Sequence, residues 1–186
     1  TALLLFLLKA AGAPATSLGE LALAMVFLQV FGAVAGIVAP IIYQRAAIND
    51  LRINSIMLAS VVFLTILVLG LASLVMPMIL ELWLPIHQPP SEYLQRASVL
   101  MAGSGVLVLS NRIVGTVLQA RGAFGKLTGQ AIFRLLSSVG LTWIGWSLNY
   151  SVVDSAAFSL FFTEFCIYVW TAKIIENSKN KPITKI

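Results

Sequence analysis

Apolar stretches of about 20 residues recur along this chain, and short polar segments separate them. A helix needs about 20 predominantly apolar residues to cross roughly 30 Å of hydrocarbon. Of the residues, 59% are hydrophobic and 10% are charged, whereas a water-soluble domain carries about 25% charged residues. The mean hydropathy is +0.96. These values exclude an ordinary soluble domain and indicate that the lipid bilayer is the solvent of this chain.

The apolar stretches predict an all-α fold, a polytopic transmembrane bundle of about six helices. Residues 1–8 are too short to span and lack the basic region of a signal peptide, so we interpret them as the end of a truncated helix. Five complete spans are predicted at residues 21–43, 56–80, 97–118, 127–148 and 152–174. Residues 1–174 would then form one transmembrane helical lobe. The polar residues 175–186 are expected to be a disordered cytoplasmic tail.

The basic residues predict the orientation of the bundle, because short loops rich in lysine and arginine stay on the cytoplasmic side. Alternate connections carry them, at Arg45, Arg52, Arg121, Lys126, Lys173, Lys179, Lys181 and Lys185. The intervening connections carry mainly acidic or neutral groups, at Glu20, Glu81, His87, Glu92 and Asp154, with the basic Arg96 near that side. We therefore expect the C-terminus in the cytoplasm. The net charge of +5 is interpreted as a topology signal, and no nucleic acid partner is expected.

Motifs for catalysis or metal binding are missing from the sequence. Cys166 is the single cysteine, so it has no disulfide partner, and His87 has no second metal ligand near it in sequence. The chain contains no HExxH or CxxC pattern, no phosphate-binding glycine loop and no nucleophile elbow. We expect neither an enzyme nor a bound metal or other cofactor.

Two arginines lie inside predicted spans, where charged side chains are rare and often mark a transport path. Arg112 lies about two turns from the cytoplasmic end of its span, and Arg134 lies at a similar depth in the next one. Each shares its helical face with polar residues, and Gln130 is one of those beside Arg134. We predict that Arg112, Arg134 and Gln130 line an aqueous cleft and bind substrate. The alternative is that each arginine bends back toward the lipid headgroups as an anchor.

Glu164 and Gln29 are the other polar candidates within spans. An unpaired carboxylate is costly near the middle of the last span, so Glu164 is interpreted as the counter-ion of Arg112 or Arg134, as a proton-coupling site, or as a packing residue. Gln29 is a further candidate for the cavity lining. It shares a helix face with Gly32 and Gly36, and this small-residue pair is expected to permit the close approach of another helix.

Two stretches resemble the C-terminal half of a polysaccharide flippase of the O-antigen type. They are SLGELALAMVFLQVFGAVAGIVAPIIYQRA and LSNRIVGTVLQARGAFGKLTGQAIFRLL, and the resemblance lies in their hydropathy and small residues. This Wzx-like family belongs to the multidrug/oligosaccharidyl-lipid/polysaccharide (MOP) exporter superfamily. It implies a two-lobe, MATE-like transporter in which this chain is one lobe and the N-terminal lobe is missing.

The resemblance implies transport of an undecaprenyl-diphosphate-linked oligosaccharide across the bacterial inner membrane by alternating access. The expected partners are this lipid-linked oligosaccharide, membrane lipids and the missing lobe. In such a cavity, Arg112 and Arg134 would contact the diphosphate or an anionic sugar. Two alternatives stay open: a cation-coupled multidrug exporter, in which Glu164 matters most, and a non-transporting membrane scaffold whose polar residues lock helices together.

Overall fold

The computed structural model describes residues 2–48, 55–84 and 90–179, and these residues form an all-α bundle with no strand among them. The helices are α1 (Ala2–Ala10), α2 (Ala15–Ile48), α3 (Ser55–Trp83), α4 (Glu92–Ala120), α5 (Phe124–Ser147) and α6 (Val152–Lys179). The predicted fold class and helix number are confirmed. Helix α6 continues beyond residue 174, where the last span was expected to end. Arg52, His87 and residues 180–186 of the expected tail lie outside the described residues.

Polar caps and positive backbone angles set several helix ends. The Ser91 hydroxyl accepts a hydrogen bond from the Leu94 amide at the start of α4, at 3.1 Å, which satisfies one of the free amides of a helix N-terminus. Ser151 accepts from the Asp154 amide in the same way at the start of α6, at 3.0 Å. Between α5 and α6, Asn149 has a φ of 65°, which asparagine tolerates better than most residues.

Four of the described helices have the length and composition needed to cross a membrane, namely α2, α3, α4 and α6. Helix α1 has 9 residues and is therefore only about 14 Å long at 1.5 Å per residue. Helix α5 (Phe124–Ser147) corresponds to the predicted span at 127–148 but is not one of the four. Its polar side chains, among them Gln130, Arg134 and Ser137, lower the hydropathy of this helix.

Helix α4 lies at the centre of the bundle and packs against α2, α3 and α6. We compared the most apolar 18-residue segment of each of these helices. The bundle buries 67% of the residues of this segment in α4 and 61% in α6, but only 11% in α3. Helix α3 therefore lies on the outside of the described bundle. Helix α5 packs mainly against α6 and contacts α4 only slightly. The polar residues of α4, α5 and α6 thus meet near the centre.

The main apolar core lies toward one end of the bundle, where α2, α4 and α6 begin and α3 ends. It contains Leu21, Leu80, Met101 and Val153, one from each of these helices. We call this the capped end, because Ser91 and Ser151 cap helices there. A much smaller apolar cluster lies toward the other end, around Val114, Leu118, Leu127 and Ile174. We call this the basic end, because Arg45, Arg121, Lys126 and Lys173 lie near it.

No helix among the described residues makes the close approach expected at Gly32 and Gly36. A β-carbon added at either glycine would meet no atom within 4 Å. The close contact between α2 and α4 is formed instead by Gly105 of α4, where a β-carbon would overlap the ring of Phe31. The spacing of Gly32 and Gly36 indicated a small-residue face, but the rotation of α2 in the bundle decides which face meets α4.

Candidate functional site

A cavity of about 510 Å³ lies between α1, α2, α4, α5 and α6. Much of its wall is apolar, with contributions from Leu3, Leu28, Val108, Leu135 and Leu160. Its polar lining residues are Gln29, Arg112, Arg134, Ser138 and Glu164. Of the candidate residues, Arg112, Arg134, Gln29 and Glu164 are therefore brought together at one cavity.

The Arg112 guanidinium is exposed at this cavity and weakly engaged by the protein. Its Nη1 donates to the Gly32 carbonyl of α2, at 3.3 Å, which is longer than a typical N–H···O bond. No carboxylate within the described residues forms an ion pair with it. Arg112 lies about 12 Å from the end of α4 at 1.5 Å per residue. Its side chain lines the cavity, and most of its donors have no partner within the described part of the chain.

Arg134 is paired with Glu164 across the α5–α6 interface. Nε donates to Oε1 at 2.6 Å and Nη2 donates to Oε2 at 3.1 Å, so the contact is bidentate. The Glu164 side chain is only 6% exposed, whereas the Arg134 side chain is 40% exposed. Of the two counter-ion assignments left open by the sequence, the structure selects Arg134. This pairing also explains how an ionised carboxylate is accommodated near the middle of α6.

Asn111 of α4 holds the same carboxylate from a third helix. Its Nδ2 donates to Glu164 Oε2 at 2.9 Å and to the Glu164 backbone carbonyl at 3.0 Å. Both of these partners are acceptors, so the amide must present its nitrogen to them. Asn111 is 6% exposed. Glu164 is thus fixed by donors from α4 and α5 together.

The charges at the cavity do not cancel. Among the described lining residues the charged ones are Arg112, Arg134 and Glu164, which gives two positive charges and one negative charge. The net value is one positive charge, and the Arg134–Glu164 pair leaves it on Arg112. A cavity with apolar walls and a net positive charge favours an anion over a cation.

Gln130 does not line the cavity. It is 6% exposed, and its Nε2 donates to the Thr171 hydroxyl of α6 at 2.9 Å. Further along the same interface Ser137 bonds to Thr163 at 2.9 Å and Thr142 to Ser159 at 2.6 Å. The polar face expected to form the cleft on α5 is therefore mostly a contact between two helices. Only Arg134 and Ser138 of that face reach the cavity.

Arg96 lies at the capped end and is paired with Asp154. Its Nη2 lies 3.0 Å from Asp154 Oδ2, and its guanidinium stacks 5.2 Å from the centre of the Tyr93 ring. Arg96 is the basic residue that departs from the predicted alternation of basic connections with acidic or neutral ones. Asp154, at the same end of the bundle, neutralises its charge. Lys9, in the last turn of α1, is a second basic residue at this end.

Asn111 is the functional candidate that sequence reasoning missed. It lies next to Arg112, and an amide within a span is itself a signal of an internal polar contact. The face of α4 that was expected to line the cleft is the one that carries Arg112. Asn111 points about 100° away from that face, toward Glu164 of α6. Among the described residues, no group of three His, Cys, Asp or Glu side chains is arranged to hold a metal ion.

Comparisons with protein-family models, with curated proteins and with solved structures each find no match for this chain. It is an all-α helical bundle in which four of the described helices have the length and composition of membrane spans.

Proposed function

We propose that this chain is one lobe of a transporter that carries an undecaprenyl-diphosphate-linked oligosaccharide across the bacterial inner membrane by alternating access. The observation that carries the proposal is the convergence of Arg112 and Arg134 on one cavity with apolar walls. Two arginines on neighbouring helices of a membrane bundle are costly unless they serve a polar path or a pair. Arg134 has its pair, and Arg112 has none among the described residues.

Arg112 is the main anion contact in this proposal. A guanidinium presents several donors in a fixed plane and binds phosphate oxygens bidentately. In a cavity partly shielded from water such a charge-assisted contact is stronger than at an open surface. The apolar walls suit the lipid-proximal part of the headgroup, while the lipid chain stays in the bilayer. Arg134 is a secondary contact, because Glu164 already occupies one edge of its guanidinium.

Replacement of Arg112 in the bacterial gene tests this function. We expect Arg112→Gln to reduce surface polysaccharide at least tenfold and to raise the level of lipid-linked oligosaccharide on the cytoplasmic side. Arg112→Lys keeps the charge but loses the bidentate donors, so it should retain an intermediate level. Arg96→Gln is the matched control, because it removes an exposed arginine that lies outside the cavity. Surface glycan is measured by gel staining, and protein level in the membrane by immunoblot.

Normal polysaccharide in the Arg112→Gln strain, at normal protein level, would contradict the proposal.

A cation-coupled drug exporter would instead lose drug resistance when Glu164 is replaced, but the pairing of Glu164 with Arg134 and the net positive charge of the cavity oppose a cationic cargo. A membrane scaffold is favoured by the polar contacts between α5 and α6. It predicts that Arg112→Gln changes neither glycan nor drug efflux.

A further inference from the structure

We propose that Glu164 is an internal competitor of the transported anion for Arg134, and so determines how strongly the cavity holds its cargo. With the Arg134–Glu164 pair closed, the anion is held by Arg112; with the pair open, both arginines hold it. This inference rests on the proposed function, since it requires that an anionic headgroup enters the cavity. It assigns Glu164 a role in specificity that differs from a proton-coupling site and from a packing residue.

The geometry of the pair supports competition. Glu164 occupies Nε and Nη2 of Arg134, which form one of the two edges that a guanidinium offers to a phosphate. The carboxylate also repels any second anion placed beside that guanidinium, and the repulsion is strong because Glu164 is almost fully buried. The other part of Arg134 stays open to the cavity, where Arg112 also lies.

Asn111 determines which partner moves when the pair opens. Its two hydrogen bonds tie the Glu164 side chain and backbone to α4, so the carboxylate stays in place. Arg134 has a long side chain, is half exposed, and belongs to α5, which contacts α4 only slightly. An arriving anion therefore draws Arg134 away from a fixed Glu164. Loss of the carboxylate should free Arg134 in advance and tighten binding.

Direct binding of a diphosphate amphiphile tests the competition. The protein is placed in lipid nanodiscs, and its affinity for farnesyl diphosphate is measured by calorimetry, with farnesol as the uncharged probe of the same chain. We expect Glu164→Gln to bind farnesyl diphosphate at least tenfold more tightly than the wild type and to leave farnesol unchanged. Adding Arg134→Gln to this variant should remove the gain. Arg112→Gln should weaken diphosphate binding in both backgrounds.

Ser137→Ala is the matched control, because it removes an α5–α6 hydrogen bond without changing a charge; its affinity should equal that of the wild type. Glu164→Asp tests the competition independently. It keeps the negative charge, but its shorter side chain places the carboxylate farther from Arg134. Its affinity should lie between those of the wild type and Glu164→Gln.

If Arg112→Gln weakens binding while Glu164→Gln does not tighten it, the competition is refuted and the proposed function stands. If Arg112→Gln leaves diphosphate binding unchanged, the anion site and the proposed function both fail.

Discussion

Arg134 and Glu164 differ in exposure, so the removal of each should have a different effect on stability. Arg134→Gln leaves a Glu164 side chain that is 6% exposed without its cation, and an uncompensated buried charge typically costs about 3–5 kcal/mol. Glu164→Gln leaves an arginine that is 40% exposed and can turn toward the cavity. We expect Arg134→Gln to lower the melting temperature in detergent clearly more than Glu164→Gln, as measured by tryptophan fluorescence.

The double variant Arg134→Gln/Glu164→Gln is the control for this asymmetry. It leaves no unpaired charge at the interface, so it should be more stable than Arg134→Gln alone. Equal losses for both single variants would mean that Glu164 is not the more buried partner in the membrane.

Asn111 contributes to stability through its two hydrogen bonds to Glu164. Asn111→Leu removes both donors, and we expect a loss of about 1–3 kcal/mol, the range for leaving buried polar partners unsatisfied. Ser104→Ala is a suitable control on the same helix. Ser104 is fully buried but bonds only to the Leu100 carbonyl of its own helix. A chemical unfolding series that gives equal losses for both variants would contradict this role of Asn111.

The candidate site was partly predictable from the sequence, because a charge within an apolar span needs an internal explanation. That rule found Arg112, Arg134 and Glu164, all of which line the cavity. It did not decide which arginine pairs with Glu164, since both lie at a similar depth and the choice depends on the rotation of α4 and α5. For the same reason it placed Gln130 in the cavity, although this side chain faces α6.

At the level of the helices, two glycines of α5 should respond oppositely to the same substitution. A β-carbon at Gly145 would lie 2.6 Å from the Ser155 hydroxyl and 2.9 Å from its β-carbon, whereas one at Gly140 would meet nothing within 4 Å. Gly145→Ala should therefore push α5 from α6 and destabilise the protein by about 1–3 kcal/mol, as overpacking does. Gly140→Ala should be neutral or stabilising by up to about 1 kcal/mol. Thermal unfolding of both variants measures the contrast; two losses of equal size would contradict the close approach at Gly145.

Helix number and order follow from local hydropathy, and the structure confirms them. Helix ends were less predictable because a helix continues beyond its apolar part when caps and polar turns permit. Helix α2, for example, begins at Ala15, ahead of the span expected from residue 21. Close packing was not predictable from spacing alone. Gly36 and Gly105 are equally small, but only Gly105 faces a ring of the neighbouring helix.

At the level of the whole molecule, the distribution of charge between the two ends predicts how the bundle is oriented in the membrane. The basic end has Arg45, Arg121, Lys126 and Lys173 exposed. The capped end has Lys9 and Arg96, and Arg96 is neutralised by Asp154. Lysine and arginine in short loops set orientation, so the basic end is predicted to face the cytoplasm.

Single-cysteine labelling tests this orientation in the intact membrane. In a Cys166→Ser background, Phe124→Cys places a thiol at the basic end and Tyr150→Cys places one at the capped end; both side chains are exposed. A membrane-impermeant maleimide applied to spheroplasts should label Tyr150→Cys and not Phe124→Cys, and inside-out vesicles should give the reverse.

Arg121→Gln/Lys126→Gln should weaken this asymmetry, because it removes two cations from one short loop while the apolar spans stay unchanged. Labelling of Phe124→Cys in spheroplasts would place the basic end outside. The cavity arginines would then lie nearer the outer headgroups, and the proposed lipid-linked cargo would meet Arg112 on the side of release.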